Sequence, residues 1–351
     1  MRYVYPDYYK KFRCVGGECI DTCCAGWQVD VDDNSACMYK AMPMPIGKRI
    51  RDRLRGSDGG YYFELAPKKR CPFLNEDNLC DIILALGEGG LCVTCTEYPR
   101  FYADTPIYEQ VDLTLSCPEA AEIFFSTEEP IRYITEDIDD EDREDDGIFG
   151  EDPFGDDDAG IDEEAFEEEI EKADMDEEKE ELLLSVLKMR DESIANMQDR
   201  SVDLLERWKD ALHFVVDESD DENILRNIST MEVVNPLWTK FFDSIEEKLP
   251  EVQKQVHRML EDRDDFLTNS LERFSTYLLF RYLIDIYYHD NSERTYRFMG
   301  RNLRILLLLL AESTLGAEGK ITISRQTMVE RARIFSRQIE HSDTNVEILL
   351  R

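Results

Sequence analysis

All ten cysteines of this 351-residue chain fall between Cys14 and Cys117. Two groups are dense. The first runs Cys14-Val15-Gly16-Gly17-Glu18-Cys19-Ile20-Asp21-Thr22-Cys23-Cys24 and leads into Gly26-Trp27; the second spans Cys71 to Cys80 and leads to Cys92-Val93-Thr94-Cys95. Closely spaced thiols on turns that carry glycine can converge on one point, and thiolate-only ligation favours zinc or an iron–sulfur cluster over hard cations.

Three other uses of the thiols compete with a cluster. A disulfide framework suits an even cysteine count, but the start Met1-Arg2-Tyr3-Val4-Tyr5-Pro6 has no secretion pattern, and a chain of this length needs no staples. A structural zinc site usually shows paired C-x2-C knuckles, whereas here one such pair, Cys92 and Cys95, stands beside C-x4-C-x3-C-C. The looser spacing leans toward a cluster, in which thiolates hold a larger object. Cys37 stands apart from every other thiol and reads as a buried packing residue.

The elements that must position these groups differ along the chain. Strand signals are thin and confined to the cysteine-bearing part: residues 28–32 alternate, as do parts of 60–65 and 111–115. From about Asp176 onward, apolar residues recur at three- and four-residue spacing, through Leu182, Leu183, Val186 and Leu187 and then Leu204, Leu205, Trp208, Leu212 and Val215. Similar helical patterns cover 236–249, 252–260, 266–288, 293–315 and 323–341, with breaks expected at Pro250 and Gly316. The apolar run 305–311 is far below the roughly 20 residues that span a bilayer and reads as a buried helix. No fixed-period repeat is present. The expected fold is mainly α: a cysteine-rich metal-binding N-terminal region with a few short strands (1–126), an acidic insertion (136–175), and a helical C-terminal domain (176–351).

The formal charge of −37 argues against a general nucleic-acid binder or a protein of anionic membrane surfaces. Between 136 and 181 there are 27 Asp and Glu against Arg143, Lys172 and Lys179, a net −24. Such a run repels itself and is expected to stay solvated and disordered over 137–160, with docking of a basic partner as the other reading. The expected location is cytoplasmic.

With these residues the chain resembles the flagellin lysine-N-methylase family, a group of bacterial cysteine-cluster proteins. The likeness rests on Phe12-x-Cys14 with Cys19-x3-Cys23-Cys24-x-Gly26-Trp27, on Cys71-x-Phe73-Leu74 with Leu79-Cys80, on Leu86-Gly87-Glu88, on Thr94-Cys95-x2-Tyr98-Pro99-Arg100 and on Ser116-Cys117-Pro118. A looser echo comes from Leu271-Glu272-x-Phe274 with Phe280-Arg281-Tyr282, and from Phe335-Ser336-Arg337-x-Ile339-Glu340-His341-Ser342-x2-Asn345. It covers 3–126 well and about 268–349 loosely. The resemblance implies methyl transfer from S-adenosylmethionine to lysine side chains of a protein substrate, flagellin first, by an enzyme with an iron–sulfur cluster of the 4Fe–4S type. Eight thiols fall on the family pattern: Cys14, Cys19, Cys23, Cys24, Cys71, Cys80, Cys95 and Cys117, a subset of which would bind the metal. Cys37 and Cys92 do not. The acidic insertion is foreign to that pattern and could select a different lysine-rich partner.

For the reaction, a lysine amine must be neutral to attack a methyl group, which calls for desolvation and a few acceptors. Aromatic walls such as Trp27 and Tyr98 would serve, although aromatics at such positions are usually core. Three further candidates are Arg100, which could bind a carboxylate or form a structural salt bridge, and Glu340 and His341, where the histidine could instead complement a helix C-terminus. Gly87-Glu88-Gly89-Gly90 follows no strand pattern and marks no doubly wound cofactor site. Radical chemistry is disfavoured because a C-x3-C-x2-C triplet is absent. From a different class, a non-catalytic zinc or iron–sulfur module that docks a basic protein accounts for the same thiols and acidic run.

Overall fold

The computed structural model describes residues 2–43, 45–57, 60–137 and 177–351. Seven strands occur among them: β1 (Arg2–Pro6), β2 (Asp30–Val31), β3 (Leu54–Ser57), β4 (Gly60–Phe63), β5 (Arg100–Asp104), β6 (Glu109–Leu113) and β7 (Tyr133–Asp137). The rest of the secondary structure is helical, and the fold is mainly α. β1 carries Tyr3-Val4-Tyr5, aromatic and β-branched residues that suit a sheet interior, and all five of its residues are buried. It lies inside a sheet of order β5-β6-β1-β7, parallel to β6 with Tyr3 opposite Glu109 and antiparallel to β7 with Tyr3 opposite Glu136. The second sheet, β2-β4-β3, is smaller and antiparallel, and sets Asp30 opposite Tyr62.

β6 and β4 fall where the alternation placed strands. β7 corrects the expected start of the acidic insertion at 136, since Glu136 accepts from Tyr5 Oη and Lys10 Nζ, each at 2.7 Å, and Asp137 pairs with Arg2 at 3.0 Å. The acidic run from 138 to 176 lies outside the described residues.

The helices begin where the chain offers caps. Asp203, Asn235, Asp264, Asn291, Ser324 and Ser342 each accept a backbone N–H from the turn that follows. The break expected at Pro250 falls at Lys248, between Pro236–Glu247 and Leu249–Glu261, and the proline sits in the first turn of the second helix, where a missing N–H costs nothing. The pattern over 266–288 resolves into Asp265–Tyr282 and Asp285–His289. The run 305–311 is buried within Ser292–Glu312, and no helix among the described residues is long and apolar enough to cross a membrane.

One hydrophobic core runs from Tyr3 and Val4 through Phe124 to Leu278, Leu307 and Leu349, so the β1 sheet and the helices share it. Polar contacts lock the two together: Gln110 Nε2 donates to the Phe280 carbonyl at 2.7 Å, and Arg190 donates to Tyr108 Oη at 2.6 Å and Gln110 Oε1 at 3.0 Å. A second, smaller core gathers Val29, Tyr39, Ile50, Phe63 and Phe73 together with cysteines.

Candidate functional site

The smaller core holds half of the thiols. Cys71 and Cys92 are buried in it, and Cys24, Cys80 and Cys95 pack against it. The backbone dictates this gathering. The Cys71 N–H donates to the Cys24 carbonyl at 2.7 Å, Leu74 bridges to Cys80, and the Cys95 N–H closes a turn on the Cys92 carbonyl at 3.0 Å. The Asp32 side chain takes the Val93 N–H at 3.0 Å and holds that turn against β2. Backbone N–H groups of Phe73 and Leu74 face the Cys71 sulfur, and those of Ile82 and Ile83 face that of Cys80. Burial pushes the Cys71 thiol up to about 12.

The remaining thiols of the family pattern lie outside that core: Cys14 and Cys23 are exposed and Cys19 is half-buried. Cys117 belongs to the main core. Burial pushes its thiol up to about 11. The Gly16 N–H points at Cys14 Sγ at 3.4 Å, and the Cys19 N–H returns to the Gly16 carbonyl at 3.1 Å. Segment 21–25 is clamped onto helix Arg325–Ile339: Asp21 accepts from Arg333 at 2.8 Å and Arg337 at 2.7 Å, and Arg337 also donates to the carbonyls of Thr22 and Ala25. Gly26 makes this approach possible. It has φ +97°, and a Cβ there would stand 3.0 Å from the Val234 carbonyl oxygen and 3.2 Å from Arg337. The neighbouring Cys23 and Cys24 side chains are hydrogen-bonded to each other, which pushes Cys23 well up and brings Cys24 down to about 7.

A buried polar layer adjoins Cys23 and Cys117. Trp27, whose indole N–H donates to the Cys23 carbonyl, packs edge-on against His341 with centroids 4.3 Å apart and against Tyr98 at 5.4 Å. His341 Nε2 meets Ser116 Oγ at 2.5 Å, and Tyr98 Oη meets the same hydroxyl at 3.0 Å. Burial lowers His341 to about 4, so at neutral pH its ring is uncharged. That overturns the reading of His341 as a cation complementing a helix end. Glu340 Oε1 accepts from Tyr277 at 2.7 Å and Tyr282 at 2.6 Å and pairs with Arg281 at 3.3 Å, while Oε2 accepts from Thr114 at 3.3 Å and from Ser336. Burial works to raise this carboxyl, but Arg281 and the hydroxyl donors outweigh it and hold it below the usual range.

The structure thus brings Glu340 and His341 together with the strand end Thr114-Ser116. Arg100 lies apart from them, with its guanidinium on the Thr96 carbonyl at 3.3 Å and 5.9 Å from the Phe12 ring centroid. Cys37, expected to be buried, is exposed. Its helix, Asp33–Ala41, buries Ala36 and Tyr39 and turns position 37 outward. Sequence reasoning missed Asp112. It is fully buried beside the same layer, its Oδ1 accepts from Tyr8 Oη at 2.6 Å, and burial pushes its carboxyl up to about 7. Its only sequence signal was a charged residue in an alternating strand.

The five thiols of the smaller core, with backbone N–H groups facing the sulfurs of Cys71 and Cys80, are donors of the kind an iron–sulfur cluster uses. All ten cysteines are free thiols, and they share neighbourhoods rather than a point. Among the described residues no three His, Cys, Asp or Glu side chains are arranged to hold a metal ion.

Over 120 residues, 32% of this chain, the sequence is 29% identical to a protein named Lysine-N-methylase from Salmonella typhimurium and to one named Flagellar biosynthetic protein FliU from Salmonella muenchen. The match spans 30% of the length of the first relative and 71% of the second. A Lysine-N-methylase of Salmonella choleraesuis matches equally, at 29% over 120 residues. No protein-family model and no solved structure matches the chain.

Proposed function

We propose that this chain is a protein lysine N-methyltransferase that uses S-adenosylmethionine and carries an iron–sulfur cluster on its N-terminal cysteines, with flagellin as the first substrate to test. The observation that carries the reading is the 29% identity to proteins named Lysine-N-methylase, joined to the gathering of free thiols beside a dry polar layer. When bound, the cluster supplies an electron-rich, Lewis-acidic iron site held by thiolates. The protein's own residues supply the rest. Trp27 and Tyr98 pack around His341, and the uncharged His341, anchored through Nε2 to Ser116, would line a poorly solvated site that favours the neutral amine of an incoming lysine over its ammonium. Glu340 is a positioning residue here, because both of its oxygens are engaged by donors of the fold.

The test is anaerobic purification of the full chain, followed by iron and acid-labile sulfide analysis, calorimetric titration with S-adenosylmethionine, and transfer of a labelled methyl group to flagellin. Iron with matching sulfide, saturable cofactor binding and label on lysine are expected. Metal without cofactor binding or methyl transfer would instead make the chain a non-catalytic metal module. Substituting the exposed, isolated Cys37 by serine should leave metal content unchanged.

A further inference from the structure

Cys92 stands outside the family pattern and has no part in the reading above, yet the fold sets another thiol directly against it. The side chains of Cys92 and Cys95 are hydrogen-bonded to each other, and Cys92 Sγ also lies 3.7 Å from the Asp30 carbonyl oxygen. The backbone between the two is a closed turn. The N–H groups of Cys95 and Thr96 both donate to the Cys92 carbonyl at 3.0 Å, and the Thr96 hydroxyl joins them at 3.2 Å. Both flanks of the turn are anchored. Tyr39 Oη donates to the Gly90 carbonyl at 2.8 Å, and Asp32, which also takes the Ser35 N–H at 2.8 Å, holds the Val93 N–H at 3.0 Å.

A turn closed from the carbonyl of its first residue to the N–H of its fourth keeps the two end Cα atoms less than about 7 Å apart. A disulfide spans Cα atoms roughly 4.4–6.8 Å apart. With the thiols already in contact, this pair can bond by small side-chain rotations while the anchored backbone stays where it is. Cys23 and Cys24 make the contrast. Their side chains are hydrogen-bonded as well, but neighbouring Cα atoms stand about 3.8 Å apart, short of the disulfide span, so a bond there would strain the peptide. The ring closed by Cys92 and Cys95 contains two intervening residues, and so short a loop restricts the unfolded chain less than a long one does, which suits a reversible bond rather than a structural staple. Exposure sets the order of events. Cys92 is 1% exposed and Cys95 is half-buried, so a reagent meets the Cys95 sulfur first and Cys92 lies behind it.

We infer that Cys92 and Cys95 form a redox-active dithiol that closes to a disulfide by exchange with a low-molecular-weight disulfide. The Cys95 thiol gives its proton to solvent, and its sulfur attacks one sulfur of the small disulfide. A mixed disulfide forms, and the other half leaves as a thiolate that takes up a proton. The Cys92 thiol then gives up its proton, and its sulfur attacks that of Cys95, forming the internal bond and releasing the second half as a thiol. Two electrons and two protons have passed from the dithiol to the small disulfide, and an excess of small thiol drives the same steps backward. The bond also withdraws Cys95 from the thiols open to a metal. That consequence, unlike the bond itself, rests on the proposal that the N-terminal cysteines hold a cluster, and it ties cluster content to the redox poise of the surrounding thiols.

The experiment equilibrates anaerobically prepared full-length protein with graded ratios of oxidised to reduced glutathione, blocks remaining thiols with iodoacetamide under denaturing conditions and cleaves after glutamate. Cleavage at Glu88 and Glu97 yields a peptide of residues 89–97 whose only thiols are Cys92 and Cys95, so its mass reads their state. As the oxidised fraction rises, this peptide should pass from doubly alkylated to unalkylated and lighter by two hydrogen atoms, and dithiothreitol should reverse the change. In Cys92→Ser the reaction should stop with glutathione on Cys95, because the resolving sulfur is gone. A peptide alkylated at both cysteines in every buffer, or glutathione held on Cys95 of the unsubstituted chain without closure, would overturn the dithiol. Iron and sulfide measured on the same samples test the consequence separately. Iron that falls as the bond closes upholds it, and constant iron removes Cys95 from the ligands while leaving the dithiol in place. Absence of iron from every sample overturns the cluster reading alone. The unsubstituted peptide decides the matter even if the variant fails to fold.

Discussion

Replacing Glu340 with alanine is expected to lower unfolding stability by about 3–5 kcal/mol, the range found when one partner of a buried ion pair is removed. Its side chain is 1% exposed and that of Arg281 is 5% exposed. Alanine would leave the guanidinium buried with the Phe101 ring face 3.7 Å away as its nearest support, and Arg281 Nη1 already lacks a partner. Tyr277, Tyr282 and Ser336 would each lose an acceptor as well. Glutamine keeps the shape and one carbonyl oxygen, so its cost should fall between wild type and alanine. Urea unfolding followed by circular dichroism measures both. An alanine variant within about 1 kcal/mol of wild type, the net worth of one ordinary hydrogen bond, would show that water reaches the layer and that the network is not a dry anchor.

The second expected result concerns pH, because Asp112 and His341 pull in opposite directions. Folded, Asp112 keeps its proton up to about 7, whereas an ordinary Asp carboxyl loses it near 3.8. Between those values unfolding releases a proton, so stability falls as pH rises from about 4 to 7. His341 takes a proton in the folded state only below about 4, against 6.5 unperturbed. Unfolding therefore takes up a proton across that window, and stability rises with pH from about 4 to 6.5. Each group contributes a slope of at most about 1.4 kcal/mol per pH unit, shallower for His341, whose ring is not fully enclosed. In the intact protein the two largely cancel. Relative to wild type, Asp112→Asn should gain stability steadily as pH rises from 4 to 7, and His341→Gln, which can still bond Ser116, should gain as pH falls from 6.5 to 4. Denaturation midpoints at half-unit pH steps give the two differences. If either stays constant across its window, the corresponding group does not titrate as its burial requires.

Parts of this fold are legible in the sequence. The alternation over 60–65 and 111–115 marked β4 and β6, and the spacing after Asp176 marked the helices, since both depend on which face of a local element is apolar. β1 and β7 were not legible. Arg2–Pro6 is short and ends in proline, and Tyr133–Asp137 merges into the acidic run, so each becomes a strand only because the other is there to pair with it. Pro250 marks the junction of two helices, and that it starts the second rather than ends the first is decided by the backbone at Lys248. Cys37 misled because a lone cysteine's burial depends on its helix face, which Ala36 and Tyr39 decide.

The sequence by itself determined the donor chemistry and the helical half. Thiol type and spacing are covalent facts, and helical periodicity is a property of one segment at a time. Which thiols are neighbours, and that Asp112 belongs with Glu340 and His341, only the tertiary structure decided. Tyr8, Asp112, Arg281 and Glu340 come from four distant segments, and what unites them is the removal of water from a shared interior, which no local pattern encodes.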